Sequence, residues 1–345
     1  MSQIQLSNSG EPQQQRSPII QISNLQVTFT RRLSLFRRSE SIVRAVDNLS
    51  LDIYDSEILS LVGESGSGKT TVARCLMGLT VPTGGSIKYQ GAEVSKLDRD
   101  KRMSYLKSVQ IIFQDPFESL YPRFDVYSAL SVPIRQLRGE KNSEEIQVII
   151  SDLLRDVGLD PEETMHKLPH QLSGGERQRV CIAKALASNP KVLIADEPIT
   201  MLDASHRLNI LNLLLDLKAK RNLTLLLITH DLASAKYMSD RIAVLYRGKL
   251  VEIGPTNAIL TRPHHPYTEL ILNSTPRLRR GEKTTVDYTT IIEELSSDRN
   301  GCVFFPRCSY STAECKNIEP MLLEKSKEHL AACHNALNFD PKKQE

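Results

Sequence analysis

The most constraining stretch of this chain is a glycine-rich loop at residues 63–71. It matches the pattern Gly-x-x-x-x-Gly-Lys-[Ser/Thr], and its residues are Gly63, Glu64, Ser65, Gly66, Ser67, Gly68, Lys69, Thr70 and Thr71. Glycines let backbone N–H groups approach phosphate oxygens closely, and a helix that begins at the loop adds its dipole. The pattern therefore predicts a nucleotide phosphate site, in which Lys69 binds the outer phosphates and the Thr70 hydroxyl is a ligand of Mg²⁺.

The residues on either side of the loop supply the structural context that the motif requires. The apolar run 58–62 predicts a buried strand before the loop. Apolar residues then recur at helical spacing and predict one face of a helix, formed by Val72, Cys75, Leu76 and Leu79. A strand, a glycine loop and a helix in this order favour a phosphate-binding loop over a simple turn.

Composition is typical of an ordinary globular protein. The chain has 345 residues, of which 40% are hydrophobic and 25% are charged, and its net charge is +3. It contains no run of 18 apolar residues, and its polar beginning lacks the apolar segment of a secretory signal. We therefore expect a protein that stays in the cytoplasm.

The chain divides into three regions. Residues 1–16 are rich in Ser, Gln and Asn, which predicts a disordered N-terminal tail. Strand-like and helix-like segments alternate over 17–275, which predicts an α/β domain with a mainly parallel sheet, and 115–185 is mostly helical. The charged stretch 96–102 is expected at the surface. Residues 276–345 comprise a basic, Thr-rich linker followed by a small cysteine-bearing extension.

Four polar residues follow predicted strands directly: Gln114, Asp196, Glu197 and His230. Because the carboxyl ends of parallel strands meet at one sheet edge, we expect these residues at one site. Adjacent carboxylates suit phosphoryl chemistry, since Asp196 can orient Mg²⁺ and Glu197 can position the attacking water or accept its proton. A capping turn is the alternative explanation for Asp196-Glu197 on its own.

A second glycine motif lies at 172–176 and reads Leu172-Ser173-Gly174-Gly175-Glu176. On its own, Ser173 at a helix start is typical of an N-cap. Two glycines at such a start also expose N–H groups that attract phosphate.

Together, in this order and spacing, the motifs resemble an ABC ATPase cassette. The resemblance covers about 19–271 and implies a RecA-like core with an antiparallel β-subdomain and a helical subdomain. In that family two cassettes close head to tail around two ATP molecules. It implies that Ser173, Gly174 and Gly175 contact the γ-phosphate bound to the opposite cassette.

The resemblance also implies roles for single residues. Gln114 would sense Mg²⁺ and the attacking water, and His230 would contact the γ-phosphate and brace Glu197. Leu202-Asp203 matches the loop that crosses to the partner, although the Thr-Ser-Ala usual before it is Ile199-Thr200-Met201 here. Phe29 is the expected aromatic partner of adenine, with Phe36 or no aromatic stack as alternatives, because an insertion at 31–41 follows Phe29.

Further segments are similar to the ATPases of oligopeptide/dipeptide importers. They are 113–123, which reads FQDPFESLYPR, the motif PHHPYT at 263–268, and the cysteine segment 302–334. This similarity implies a second, non-identical ATPase subunit, two permease subunits and an extracytoplasmic solute-binding protein. It places the chain as a peripheral protein at the cytoplasmic face of the cell membrane, and it implies a cargo of peptides, nickel or oligosaccharides.

Four of the six cysteines crowd the extension: Cys302, Cys308, Cys315 and Cys333. Their spacing, with 5, 6 and 17 residues between them, lacks both a tight Cys-x-x-Cys pair and the ferredoxin run. Spacing alone is compatible with Zn²⁺, an iron–sulfur cluster or free thiols. The importer family matches all four positions and implies a [4Fe–4S] cluster, with zinc as the alternative.

A soluble ABC-type ATPase that acts on DNA or ribosomes is the competing hypothesis. The sequence disfavours it, because a single cassette is present and no basic stripe is interleaved with aromatic residues. The chain has no Trp, and aromatic residues make up 5% of it. We therefore expect no nucleic-acid partner.

Overall fold

The strand before the glycine loop lies within a large sheet, as a computed structural model shows. The model describes residues 17–32, 40–274 and 300–336. The tail expected at 1–16, most of the linker and Phe36 lie outside these ranges. Within them the strands are β1 (Pro18–Arg32), β2 (Glu40–Tyr54), β3 (Ile58–Val62), β4 (Gly84–Tyr89), β5 (Ala92–Glu93), β6 (Val109–Ile112), β7 (Val192–Asp196), β8 (Thr224–Thr229), β9 (Arg241–Tyr246), β10 (Lys249–Pro255), β11 (Leu323–Ser326) and β12 (His329–Ala331).

Helices connect most of these strands. In the same ranges they are α1 (Lys69–Leu76), α2 (Arg99–Ser108), α3 (Pro116–Ser119), α4 (Val126–Pro133), α5 (Ser143–Asp156), α6 (Pro161–Thr164), α7 (Gly174–Leu186), α8 (Ala204–Arg221), α9 (Leu232–Met238), α10 (Thr256–Thr261), α11 (Pro266–Ser274) and α12 (Ala313–Asn317). Single 3₁₀ turns lie at Val94–Lys96, Pro169–Gln171 and Phe305–Arg307, and a π-helical turn lies at Ile134–Arg138.

The larger sheet has eight strands in the order β11-β12-β10-β9-β3-β8-β7-β6. Strands β9, β3, β8, β7 and β6 are parallel, as the alternation of strands and helices predicted. All residues of β3, β7 and β8 are buried, which explains their continuous apolar sequences. The carboxyl ends of β3, β6, β7 and β8 therefore lie along one edge.

A second, antiparallel sheet has the order β2-β1-β4-β5. Strands β1 and β2 pair along most of their length, with irregular register between Ile22 and Thr28. Buried residues of this sheet form one apolar cluster with the buried face of α1 and with β3. The antiparallel layer thus holds α1, and with it the glycine loop, against the larger sheet.

The helices α3 to α7 pack together over the opposite side of the core. The wide apolar stripe of α5 is buried as predicted, through Ile146, Ile150, Leu153 and Leu154. The same cluster includes α7 and residues of β7 and β8. Gln114 lies between β6 and this helical layer, so that one segment connects the sheet edge to the helices.

One prediction about local structure was wrong, and one helix was not predicted, although the stretch 96–102 in which it begins lies at the surface as expected. Helix α1 ends at Leu76, and Leu79 is 61% exposed, because Gly78 adopts a left-handed conformation (φ 67°) that stops the helix. The charged surface stretch contains the start of α2, which Asp98 caps by accepting a hydrogen bond from the Lys101 N–H. No apolar stripe marks α2, so the periodicity could not reveal it.

The described part of the C-terminal extension, 300–336, continues the larger sheet. Strand β12 pairs antiparallel with β10, where Glu252 lies opposite Ala331, and β11 adds to the edge of β12. Phe304 is buried and packs against the rings of Tyr246 and Tyr267. The extension therefore uses the core of the preceding domain to bury its own apolar side chains.

Candidate active site

The glycine loop follows β3 and is shaped by contacts that only glycine allows. A Cβ atom on Gly63 would lie 2.1 Å from the carbonyl oxygen of Leu245, and one on Gly68 would lie 2.2 Å from that of Ala45. Gly68 also has a φ of 105°, a conformation that side chains disfavour. The backbone thus packs closely against neighbouring segments before α1 begins at Lys69.

The side chain of Lys69 is buried in the centre of the loop. Its Nζ donates hydrogen bonds to the carbonyl oxygens of Gly63 (2.7 Å) and Glu64 (2.9 Å). Burial lowers the pKa of Lys69, while the nearby carboxylates of Glu197 and Asp196 act in the opposite direction. The loop itself therefore holds the ammonium group in place, and Lys69 is one of the residues that line the adjacent cavity.

Asp196 lies at the end of β7, directly opposite the start of α1. It accepts a hydrogen bond from the Thr70 hydroxyl at 3.3 Å. Burial raises the pKa of Asp196, while the hydrogen bond from Thr70 and the charge of Lys69 act in the opposite direction. A hydroxyl and a carboxylate oxygen placed together form the hard ligand set that Mg²⁺ prefers.

Glu197 is the centre of a hydrogen-bonded group at the same sheet edge. Its carboxylate accepts from the Gln114 amide at 3.2 Å and from the Thr200 hydroxyl at 2.9 Å, and it lies 3.3 Å from Nδ1 of His230. Glu197 adopts a φ of 48°, a rare conformation for a residue with a side chain. The turn after β7 therefore directs this carboxylate towards the glycine loop.

An open cavity lies among several of these groups, and Asp196 is not one of the residues that line it. Residues of the glycine loop line it together with Gln114, Glu197 and His230. The cavity is also lined by Val43, Arg44, Ala45, Arg247 and Ile271, which sequence reasoning missed.

Phe29 is not among the described residues that line this cavity. It is 47% exposed and pairs with Val43 on the adjacent strand. Its contact with adenine stays a prediction.

The second glycine motif lies away from this cavity, at the start of α7. Ser173 caps the helix, and Glu176 completes a reciprocal capping box with bonds of 3.2 Å and 2.8 Å. No heavy atom of the described residues lies within 4 Å of a Cβ placed on Gly174, so their packing does not require glycine there. Asp203 precedes α8, and its side chain makes no capping hydrogen bond.

The four cysteines of the extension converge on one small cavity, which His265, Phe304 and Tyr310 also line. Cys302 donates its backbone N–H to the carbonyl oxygen of Cys315 at 2.8 Å. Burial raises the pKa of the Cys302 and Cys308 thiols, and that of Cys333 to about 11. Within the described ranges, no three or more His, Cys, Asp or Glu side chains are arranged closely enough to hold a metal ion. The cluster implied by the resemblance therefore stays a prediction.

Two residues outside the predicted site contact the glycine loop through Glu64. The Glu64 N–H donates to the Tyr267 hydroxyl at 2.9 Å. The Arg307 guanidinium donates to both carboxylate oxygens of Glu64, at 2.9 Å and 3.0 Å. Their separations from Glu64 of 203 and 243 residues explain why no local sequence pattern revealed them.

The sheet, the glycine loop, the carboxylate pair and the capped Ser-Gly-Gly motif define an ABC-type ATPase. Residues 46–200 match the family model "ABC transporter", and residues 251–315 match "Oligopeptide/dipeptide transporter, C-terminal region". Comparison with solved structures also supports an ABC-type ATPase. The chain is similar to the dimeric ATP-binding cassette MJ0796 bound to ADP and Pi, with a TM-score of 0.61 and 29% identity over 69% of this chain and 98% of that one. No helix in the part of the chain that the model describes is long and apolar enough to cross a bilayer.

Relatives with similar sequences indicate which kind of ABC ATPase this chain is. The oligopeptide transport ATP-binding protein AppF of Bacillus subtilis is 38% identical over 92% of this chain and 97% of its own length. The glutathione import ATP-binding protein GsiA of Escherichia coli O157:H7 is 43% identical over 75% of this chain, although the match spans 41% of GsiA. The chain belongs to the ATP-binding subunits of the oligopeptide/dipeptide ABC transporter family. The expected fold class is confirmed, and the importer ATPase is supported over the DNA or ribosome alternative.

Proposed function

We propose that ATP hydrolysis by this chain drives the uptake of short peptides or closely related solutes. The observation that carries the proposal is the end-to-end similarity to an oligopeptide transport ATP-binding protein, including the C-terminal region that the family model recognises. Nickel and oligosaccharides are the alternative cargoes. The cargo itself would bind elsewhere in the transporter, because the described site is suited to nucleotide.

The residues around the cavity suggest how hydrolysis proceeds. Lys69 and the loop N–H groups would bind the phosphates, and Thr70 with Asp196 would hold Mg²⁺, which neutralises phosphate charge when bound. Glu197 would accept or orient a proton of the attacking water, and Gln114 and His230 would fix the orientation of its carboxylate. The hydrogen bonds that converge on Glu197 support this assignment.

An uptake assay in cells that lack this chain tests the cargo and the chemistry together. Wild-type protein should restore uptake of a labelled peptide, whereas Glu197→Gln should bind ATP and fail to restore it. Its ATP turnover should fall by about 10²–10⁴-fold, the usual contribution of a positioned general base. Restored uptake of labelled nickel but not of peptide would replace the peptide proposal.

The motif Ser173-Gly174-Gly175 would complete the ATP site of a second cassette, and Asp203 would lie in the loop that crosses to it. The absence of any packing need for glycine at 174 supports a role outside this chain. The second cassette would be a non-identical subunit, paired with two permeases and an extracytoplasmic binding protein. The assembly would place this chain at the cytoplasmic face of the membrane.

Phe29 would contact the adenine of bound ATP from the β1–β2 layer. Its pairing with Val43, which lines the cavity, supports a position near the bound nucleotide. The Phe29→Ala variant should weaken ATP binding more than Phe29→Tyr, because the tyrosine ring retains the stacking surface.

The four extension cysteines would hold a [4Fe–4S] cluster, with Zn²⁺ as the alternative. All four cysteines line one small cavity, which supports a shared ligand, and binding would require the thiols to draw closer together than they lie in the described structure. Iron and sulfide assays with an absorption spectrum test this assignment. Cys308→Ser should lose iron and Cys75→Ala, a core control, should retain it, whereas a colourless, zinc-loaded protein would contradict the cluster.

A further inference from the structure

The guanidinium of Arg307 approaches the glycine loop from the C-terminal extension. It binds both carboxylate oxygens of Glu64, at 2.9 Å and 3.0 Å, in the two-pronged geometry that gives the strongest Arg–carboxylate pairs. Glu64 is one of the residues that line the cavity, so its negative charge lies close to the space in which a triphosphate would bind. Without a cation beside it, this carboxylate would repel the ligand.

Every polar group of Glu64 has a partner. Its N–H donates to Tyr267, its carbonyl oxygen accepts from the Lys69 Nζ, and its carboxylate accepts from Arg307. Lys69 belongs to the loop itself, whereas Tyr267 lies in α11 and Arg307 lies in the 3₁₀ turn of the C-terminal extension. Glu64 therefore connects the C-terminal region to the lysine that is expected to bind phosphate.

Aromatic packing holds Arg307 in place. Its guanidinium lies over the rings of Tyr246 and Phe304, at 5.7 Å and 5.8 Å. Phe304 in turn contacts Tyr246 and Tyr267, with ring centroids 5.3 Å and 5.5 Å apart. The position of the guanidinium thus depends on the packing of the extension against the core.

The backbone around Arg307 also belongs to the cysteine cavity. Arg307 ends the 3₁₀ turn Phe305–Arg307 and directly precedes Cys308. The Phe305 N–H donates to the carbonyl oxygen of Cys302 at 3.0 Å, and the Arg307 N–H donates to that of Phe304 at 3.0 Å. The turn that carries the guanidinium is therefore joined directly to the backbone of Cys302 and Cys308.

We propose that Arg307 is a positioning residue for ATP binding, which neutralises Glu64 and so makes the ATP affinity of the glycine loop depend on the folded C-terminal extension. The proposal rests on the proposed ATP site. It assigns to the extension an effect on the nucleotide site of the same chain, in addition to any ligand that its cysteines hold.

Charge rescue separates this role from a purely structural one. In the full-length chain, Arg307→Ala should weaken the binding of a fluorescent ATP analogue by roughly tenfold, because an unpaired carboxylate then faces the phosphates. Arg307→Lys should lose less, since the charge remains without the two-pronged geometry. Adding Glu64→Gln to Arg307→Ala should restore most of the affinity, because the double variant has no charge left to neutralise.

Lys316→Ala is the matched control, since it removes one exposed positive charge from α12 of the same extension. It should bind the analogue as the wild type does. In turnover assays with the partner subunits, Arg307→Ala should raise KM for ATP and change kcat little, as expected when binding alone is weakened.

The cysteine site gives a second comparison. Cys308→Ser should weaken ATP binding in the wild-type background but not in the Glu64→Gln, Arg307→Ala background. Equal effects in the two backgrounds would show that the cysteines act independently of the ion pair and would overturn the coupling.

Each failure has its own signature. A wild-type chain that does not bind the analogue at all would refute the ATP site. Normal binding by Arg307→Ala, or a loss that Glu64→Gln fails to rescue, would refute only the role of Arg307.

Discussion

At the scale of single residues, local motifs were enough to name most of the candidate site. Gln114, Glu197 and His230 each follow a strand of one parallel sheet, so the sequence order alone indicated that they meet. The structure places them within hydrogen-bonding distance, and their catalytic roles stay predictions. Tyr267 and Arg307 could not be predicted, because their contacts with Glu64 depend on tertiary packing.

A residue-scale prediction concerns His265, which is buried and accepts the Tyr267 N–H at Nδ1. Burial lowers the pKa of His265 from 6.5 to about 4. The unfolded chain therefore binds more protons than the folded chain between these values, so stability falls as the pH decreases below about 6.5.

Between pH 7 and pH 5 this single group should cost the folded state about 2 kcal/mol. Urea denaturation of wild type and His265→Asn at both pH values measures the effect, since Asn can still accept the Tyr267 N–H. The variant should lose correspondingly less stability on acidification. Parallel losses in the two proteins would assign the pH dependence to other groups.

At the scale of elements, hydrophobic periodicity predicted the strands of the parallel sheet and the amphipathic helix α5. Hydrophobic periodicity did not predict α2, because that helix is rich in charged residues and lacks an apolar stripe. It also extended α1 too far, because Gly78 stops that helix. Helix α7 shows a further limit. The capping box was compatible with a structural role alone, and only the open space around Gly174 favours an additional one.

The prediction for α7 is a variant that folds normally but does not turn over ATP. Gly174→Asp places a carboxylate at the first position of the helix, where the dipole favours it, so stability should change by less than about 1 kcal/mol. ATPase activity of the assembled transporter should fall by about two orders of magnitude, because the new charge would face the phosphate bound to the partner cassette.

Ser143→Asp, at the first position of α5, is the matched control for a new charge at a helix start. It should retain both stability and activity. Full activity of Gly174→Asp would exclude a phosphate contact by this motif.

At the scale of the whole molecule, the order of strands and helices in the sequence predicted the parallel sheet and the edge of it at which the candidate site lies. It did not predict the way in which the extension joins the core, because β11 and β12 are short and β12 pairs with a strand, β10, that lies about 80 residues earlier in the sequence, as Glu252 opposite Ala331 shows. This contact between the extension and the core, the joint, contains a buried hydrogen-bonded pair, Glu252 and His329, whose carboxylate oxygen and Nε2 are 2.7 Å apart. Glu252 also accepts the backbone N–H groups of His264 and His265.

Removing the imidazole should therefore destabilise the joint. His329→Ala leaves a fully buried carboxylate without its side-chain partner, which we expect to lower the free energy of unfolding by about 3 kcal/mol. His166→Ala is the matched control, because the His166 side chain is 77% exposed and lies 3.5 Å from Asp125. Urea denaturation of both variants measures the difference, and equal stabilities would show that the joint does not depend on this pair.

The central claim is that the described cavity is one half of an ATP site whose other half belongs to a second cassette. ATP binding and steady-state phosphate release by the purified chain, with and without its partner subunits, test this claim most directly. We predict that the chain alone binds ATP but hydrolyses it slowly, and that turnover rises when the partner cassette is added. Fast turnover by a strict monomer, unchanged by the partner, would contradict the claim.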